Sequence, residues 1–239
     1  MKKYGKLAVM PPYFFPYIGY FQLLHAVDLW IMYDNIEFTK GKYHNRNFLV
    51  FNGKREVFTV NLKKTSDFAM IGDREISLEY RQKTCNKILS RIQQNYRKAP
   101  YFNEVFPWVK DVFEFPDNNL FNFADHSVKK VAEYLGIKTE IITSSSIDID
   151  HSLRNKYRLF EFCKHFNIQY YLNPEGGVSL YNKEEFAQKG IDLHFHYAHQ
   201  PEYHQIHSEK FEPYLSIIDI MMHCSVSEIQ EILNDYHID

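Results

Sequence analysis

The chain has 239 residues, a net charge of −2 and 45% hydrophobic residues, which is typical of a globular protein built as one large domain. No apolar run reaches the roughly 18 residues of a membrane-spanning helix, and the N-terminus lacks a signal-peptide pattern. Cys85, Cys163 and Cys224 lie far apart, so neither a disulfide framework nor a zinc site is predicted. Reduced thiols and the lack of a membrane segment indicate a cytoplasmic protein.

The first fifty residues predict a strand, a loop, a helix and a second strand. An apolar run over residues 7–10 ends at Pro11-Pro12, and an aromatic loop leads into a helical pattern. A second apolar run over residues 29–33 ends in Asp34-Asn35. In an open α/β sheet, such loops lie at the carboxyl ends of parallel strands, where ligands bind.

The remaining elements follow as alternating strands and helices. Asn52-Gly53 lies between apolar runs and predicts a hairpin with strands over 48–51 and 57–62. Apolar periodicity predicts further strands over 139–143, 170–172 and 193–197, and helices over 78–96, 104–113, 120–135, 156–166, 184–189, 214–222 and 226–236. We therefore expect a single α/β domain over residues 1–239, with a mainly parallel sheet and a helical subdomain over roughly 78–135.

The positive charge is concentrated in the N-terminal part of the chain. Residues 1–64 contain ten Lys or Arg against four Asp or Glu, although the whole chain is slightly acidic. This imbalance predicts an anionic ligand near the N-terminal unit. The basic residues do not form blocks, so a nucleic acid is not expected as a substrate.

The segment from Tyr17 through Gly19 to Tyr20 follows a strand and opens a helix. The HxGH motif of nucleotidylyltransferases occupies a similar place, and a helix N-terminus with a glycine favours bound phosphate. We therefore expect a nucleotidylyltransferase-like, Rossmann-like core in which these three residues bind substrate. Tyrosines add no positive charge, so nucleotide binding without adenylyl transfer is one alternative, and simple packing of the loop is another.

The densest polar cluster follows the second strand. Its Lys, Arg and amide side chains suit a diphosphate and sugar hydroxyls, and the substrate-binding candidates here are Lys40, Asn45, Arg46 and Asn47. His44 and Asp34 are the candidates for the catalytic base that deprotonates an amine. The alternatives are a solvated loop for the cluster and a turn or helix cap for Asp34.

Three later segments add candidates for substrate binding. Asn173, Glu175, Gly176 and Gly177 form a turn after a short strand, where glycines allow a backbone nest around an anion. His204 and Asp219 lie in polar segments near the C-terminus. A plain turn, and packing of the helix that contains Asp219, are the competing interpretations.

Metal and covalent chemistry have weak sequence support. The histidines of the C-terminal third do not have metal-ligand spacing and are better interpreted as surface residues: His194, His196, His199, His204 and His207. The pair Asp148 and Asp150 is the one candidate for a metal-binding DxD motif of a glycosyltransferase. No Ser–His–Asp pattern or activated cysteine is visible.

Several motifs together resemble the WbqC-like family of bacterial proteins. They lie in family order and are PYFFPYIGYFQL (12–23), YD (33–34), FTKGKYHNRN (38–47), NGK (52–54), GG-x-x-LY (176–181), GI-x-L-x-F (190–195), P-x-Y-x-Q (201–205) and F-x-P-x-LSIID (211–219). The chain departs at Pro11, where the family pattern has Gln, so a side-chain contact from that position is not expected.

The resemblance implies a role in bacterial surface-polysaccharide (O-antigen) biosynthesis and a transferase that acts on an amino sugar, with glycine as one proposed group. We expect acyl or aminoacyl transfer to the amino group of a nucleotide-linked amino sugar, with an acyl or aminoacyl donor as the second substrate. The alternatives are a non-catalytic sugar-nucleotide binding module and an ATP-dependent amide ligase. ATP with magnesium therefore stays open as a cofactor, and no other cofactor is expected.

Overall fold

A six-stranded sheet forms the centre of the protein, whose computed structural model describes residues 4–206 and 210–239. Within these residues the strands are β1 (Lys6–Met10), β2 (Leu29–Met32), β3 (Arg46–Phe51), β4 (Lys54–Thr59), β5 (Glu140–Thr143), β6 (Tyr170–Pro174), β7 (Asp192–Ala198) and β8 (Tyr236–Ile238). The helices are α1 (Ile18–His25), α2 (Cys85–Tyr96), α3 (Phe102–Phe113), α4 (Leu120–Tyr134), α5 (Lys156–Phe166), α6 (Lys183–Ala187), α7 (Ile217–His223) and α8 (Val226–Ile232). Each of these helices is too short or too polar to cross a bilayer.

The strand order confirms the predicted α/β class with a mainly parallel sheet. The order is β5-β2-β1-β6-β7-β8, and β3 pairs with β4 in a separate antiparallel hairpin. Five strands of the main sheet are parallel, and only β8 runs antiparallel to its neighbour β7. The chain therefore moves outward from β1 to one side and returns to place β6 on the other. In such sheets a ligand crevice forms between these two strands at their carboxyl ends.

The alternation of side chains along the inner strands separates two hydrophobic cores. Ala8 of β1 packs with Trp30 and Met32 of β2 on one face, in a cluster that also contains apolar residues of α1–α4, α7 and α8. Leu7 and Val9 lie on the other face with the apolar sides of α5 and α6. This two-sided burial follows from the period of two in a strand. The helices α2–α4 thus share one core with the sheet.

Several predicted elements have other bounds in the structure; the second hairpin strand, predicted over 57–62, is β4 (Lys54–Thr59), and three helices also differ. The helix predicted over 78–96 begins with a π-helical turn (Tyr80–Thr84) before α2. The helix predicted over 214–222 starts only at Ile217, because Tyr214 has a left-handed φ of 55°. The helix predicted over 226–236 ends at Ile232, and the residues beyond it form β8. The residues after Ile232 form a strand because their backbone pairs with β7. Local periodicity does not predict such a pairing.

The proline-rich loop after β1 is fixed by hydrogen bonds from elements far along the chain. The carbonyl of Phe15 accepts from Asn47 Nδ2 at 2.6 Å and from Ser216 Oγ at 2.9 Å. Its N–H donates to Ser127 Oγ at 3.3 Å. Phe15 has a left-handed φ of 45°, a conformation that non-glycine residues keep only where surrounding contacts determine it. The loop therefore depends on α4, β3 and α7 for its shape.

Replacing Asn47 tests this arrangement. The Asn47→Ala variant removes the donor to the carbonyls of Phe14 and Phe15 and the acceptor for Phe48 N–H. We expect its free energy of unfolding to fall by about 1–3 kcal/mol, since buried polar groups lose their partner. Urea denaturation of Asn47→Ala and of the exposed control Asn86→Ala measures the difference. Equal midpoints for the two variants would contradict the prediction.

Candidate functional site

Tyr17 lies in the loop between β1 and α1, close to the Glu175 carboxylate in the turn after β6. Tyr17 precedes the first residue of α1, and burial together with the nearby Glu175 carboxylate raises its pKa to about 12. The hydroxyl therefore stays protonated near neutral pH and is able to donate a hydrogen bond. Gly19 has a packing role here, because a Cβ atom would clash with the Tyr17 ring and would lie 2.7 Å from Ala198 Cβ.

Aromatic rings continue from Tyr17 to the surface. The Tyr17 ring lies 5.9 Å from that of Tyr214, and the rings of Tyr13 and Tyr43 are 5.7 Å apart. Tyr214 is 53% exposed although its backbone is strained, and its N–H donates to Gln200 Oε1 at 3.3 Å. Strained residues held by their surroundings are frequent at binding sites. The tyrosines form a rim suited to a sugar ring or a base.

Tyr20, by contrast, belongs to the core. It is 2% exposed, its ring packs against Trp30, and its hydroxyl donates to the Pro11 carbonyl at 3.1 Å. A residue so enclosed has no surface for a substrate. The structure thus favours the packing interpretation for this position, because the helical period turns Tyr20 inward.

His44 is a buried histidine whose hydrogen bond fixes its tautomer. Its Nδ1 lies 3.0 Å from the Pro12 carbonyl, which only accepts, so Nδ1 carries the proton and Nε2 the lone pair. Burial lowers the pKa of His44, and Lys42 lowers it further, while the Pro12 hydrogen bond acts in the opposite direction. The ring is therefore neutral at physiological pH, as a general base requires.

A basic cavity of about 540 Å³ lies beside the β3–β4 hairpin. Its charged lining includes one carboxylate, Asp67, and five basic side chains: Lys40, Arg46, Lys63, Lys64 and Arg74. Lys63 forms an ion pair with Glu75 outside the lining. The excess of positive charge makes this cavity suited to an anion with more than one charge.

Arg74 is the buried member of this set, and sequence reasoning missed it. The residue is 7% exposed, its Nη2 donates to the carbonyls of Ser66 and Asp67, and its guanidinium stacks 4.5 Å from the Phe38 ring. Its buried Nε has no acceptor among the described residues. An unsatisfied buried donor is costly unless a ligand supplies the acceptor. Arg74 lies just beyond the basic stretch 1–64, so composition alone did not mark it.

Phe38 brings the basic cavity and the candidate base together. Its ring contacts both the Arg74 guanidinium and the imidazole of His44, whose centroid is 5.6 Å from that of Phe38. The His44 ring is in turn 5.4 Å from that of Tyr13. These ring contacts connect the lining of the basic cavity through His44 to Tyr13 of the aromatic rim.

The two asparagines of the polar cluster hold the backbone. Asn45 Nδ2 donates to the Val60 carbonyl at 2.8 Å, and Asn47 clamps the proline-rich loop. Asn45 also lines the basic cavity. Asn47, at 1% exposure, is enclosed and has no surface for the substrate contact predicted for it.

Asp34 lies at the end of β2 and joins two loops. Its Oδ1 accepts the N–H of Ser145 at 3.0 Å, and its carbonyl accepts the N–H of Gly72 at 2.8 Å. Asp34 is absent from the lining of the basic cavity. The structure therefore favours the turn and cap interpretation of Asp34. His44 is then the better-supported candidate for the catalytic base.

In the turn after β6, the side chain of Asn173 packs within the turn itself. Asn173 is buried, and its Oδ1 accepts from Tyr171 Oη at 3.1 Å. A Cβ at Gly177 would overlap the Asn173 amide, which explains the glycine. Glu175 and Gly176 are exposed and Glu175 lies near Tyr17, so Glu175 is the member of this turn best placed to contact a ligand.

Asp219 is buried at the centre of a polar network. Its Oδ1 accepts from Tyr96 Oη at 2.6 Å, and its Oδ2 accepts from Tyr203 Oη at 2.7 Å and Gln205 Nε2 at 3.0 Å. The network anchors the segment 201–205 on α7. His204 lies between Tyr203 and Gln205 in the sequence, and its side chain is exposed. Asp219 is 1% exposed and its carboxylate oxygens are occupied by these donors, which favours the packing interpretation over a substrate contact.

Among the described residues, no group of three or more His, Cys, Asp or Glu side chains could hold a metal ion. His196 is buried rather than at the surface, and burial lowers its pKa to about 4. His207 lies outside the described residues. Asp150 accepts from the N–H and hydroxyl of Ser152 in a local turn. All three cysteines are free and buried.

Comparison with known proteins places the chain in a family. An uncharacterized protein of Mycobacterium tuberculosis, Rv1507c, is 24% identical over 228 residues, which cover 90% of this chain and 92% of that protein. No solved structure matches the chain significantly. Residues 11–231 match the sequence model of the WbqC-like protein family, a span that contains the loop after β1, the basic cavity and the Asp219 network. The chain therefore belongs to the WbqC-like protein family.

Proposed function

We propose that this protein is a transferase that acylates or aminoacylates, glycyl transfer included, the amino group of a nucleotide-linked amino sugar. The observation that supports this most is the basic cavity, in which the buried Nε of Arg74 has no acceptor, beside a neutral His44. A nucleotide-linked amino sugar supplies a diphosphate for the basic cavity and an amine for His44. Family membership suggests a role in the biosynthesis of a surface polysaccharide such as O-antigen or lipopolysaccharide. We infer that the protein acts in the cytoplasm.

In this proposal the diphosphate lies in the basic cavity. Lys40 and Arg46 have no ion-pair partner among the described residues, so both are available to a ligand. Arg74 is held by the carbonyls of Ser66 and Asp67, so its fork is preorganised and little side-chain entropy is lost on binding. In the same proposal Tyr17 and the rim tyrosines contact the sugar or base.

The reaction joins the amine to an activated acyl group. The amine lone pair attacks the acyl carbon, the new C–N bond forms, and the donor's leaving group departs with the electrons of its broken bond. His44 Nε2 accepts the proton that the nitrogen loses. If the donor is a free carboxylate, ATP must first convert it to an acyl adenylate with release of pyrophosphate, and AMP is then the leaving group.

Replacement of the cavity arginines tests the proposed anion site. We expect Arg46→Gln and Arg74→Gln each to weaken binding of a UDP- or dTDP-linked amino sugar by about tenfold or more, because each removes a charge-assisted hydrogen bond. Arg97→Gln, at an exposed site on the end of α2, is the matched control. Isothermal titration measures the affinity. Arg46 is less buried than Arg74, so Arg46→Gln still tests the anion site if Arg74→Gln does not fold.

The ligand panel separates the proposed function from its alternatives. Binding of an amino-sugar nucleotide with turnover of an acyl donor supports the transferase, whereas binding without turnover favours a binding module. A thermal shift with ATP and magnesium alone favours an amide ligase. No shift with ATP, amino-sugar nucleotides or UDP-hexoses would contradict the nucleotide site itself.

The role of His44 has a distinct pH signature. Because burial lowers its pKa, His44 stays neutral below the ordinary histidine value of about 6.5, and the acid limb of kcat/KM, which reports the free enzyme, should lie below that pH. His44→Asn keeps a donor for the Pro12 carbonyl but no base, so we expect kcat to fall by about 10²–10⁴-fold. Stopped assays across pH and binding titrations check both values. An unchanged kcat, or an equal loss of binding, would contradict the assignment.

A further inference from the structure

A second cavity, of about 600 Å³, lies beyond the end of β2 and beside the start of α5. It is separate from the basic cavity: the segment 36–38 runs between them, with Glu37 in the second lining and Phe38 in the first. The residues that carry the argument are Tyr33, Glu37, His151, Arg154, Asn155 and Arg158.

Arg158 is a buried cation on the wall of this cavity. It is 8% exposed, and its donors go to neutral oxygens: Nε to the Leu153 carbonyl at 2.8 Å, Nη1 to the Asn35 carbonyl and Oδ1, and Nη2 to the His151 carbonyl at 2.8 Å. No carboxylate of the described residues lies within 4 Å of its nitrogens. A buried charge without a counter-ion is unfavourable, so the guanidinium leaves an unneutralised positive field in the cavity.

Neighbouring groups add to this field. Arg154 is exposed at the same cavity and forms no ion pair or hydrogen bond with any described residue. α5 begins directly beside it, and its N-cap residue Asn155 provides no side-chain acceptor and its first turn no acidic residue. Burial raises the pKa of Tyr33, although Arg158 opposes that shift, so its hydroxyl remains a donor. Glu37 is the carboxylate on this wall, and it is exposed.

We propose that this cavity is a second binding site, for a small ligand that bears an oxyanion, either a carboxylate or a phosphate. Arg154 contacts the anion directly, and Arg158 supplies the buried charge behind it. The fork of an arginine pairs with either oxyanion through two parallel hydrogen bonds. The site does not depend on the proposed transferase activity.

Residue-resolved NMR of the full-length protein tests the proposal, since it separates this cavity from the basic one. Inorganic phosphate and acetate are titrated separately at constant ionic strength, and the amide shifts of residues 151–158 are followed. We expect saturable shifts there with at least one anion, and the tighter of the two identifies the class. Shifts confined to residues 40–46 and 63–74, or no saturable shift at 151–158 with either anion, would overturn the proposal.

Three variants give the charge dependence. Arg154→Gln should raise the Kd of the bound anion at least fivefold, and Glu37→Gln should lower it, because it removes a repulsive charge. Arg97→Gln is the matched control, and its Kd should equal that of the wild type. Arg158 also holds the backbone at Asn35 and Leu153, so its replacement is not needed for the test. Equal Kd values for Arg154→Gln and the control would contradict the assignment.

Discussion

The loop after β1 is the feature on which the rest of the site depends, because its carbonyls accept hydrogen bonds from so many other elements. The three prolines in this loop lack N–H groups, so the loop has few donors for its own carbonyls. These carbonyls accept hydrogen bonds from side chains and backbone of other elements instead. Pro12 fixes the tautomer of His44, Phe15 accepts from Asn47 and Ser216, and the Pro16 carbonyl accepts the N–H of Ile217. The same contacts thus join the hairpin and α7 to the sheet and orient the candidate base.

Burial divides the polar residues of the chain into two classes. Asn47 and Asp219 are enclosed, and their hydrogen bonds hold segments together that are distant in sequence. Lys40 and Arg46 line the basic cavity, and Glu175 is exposed near Tyr17. The family motifs contain both classes, which explains why a motif match alone does not separate a ligand contact from a structural one.

Two buried arginines give the surface its electrostatic character. Arg74 and Arg158 each donate to backbone carbonyls, which fix the guanidinium and leave its charge uncompensated. In a low-dielectric environment such a charge acts strongly on a nearby anion. Both arginines lie beside segments that follow β2, so the region after one strand supports both proposed anion sites.

Local pattern was enough to predict the alternation of strands and helices, the position of the first strand–loop–helix unit, and the basic residues Lys40 and Arg46 as ligand candidates. These predictions depend on the periodicity within one element and on residue type. Contacts between elements enclose Tyr20 and Asp219, bring Arg74 and Lys40 to one cavity, and pair Tyr236–Ile238 with β7 as β8. The reason is that these outcomes depend on contacts between elements far apart in the chain, which the pattern within one element does not contain.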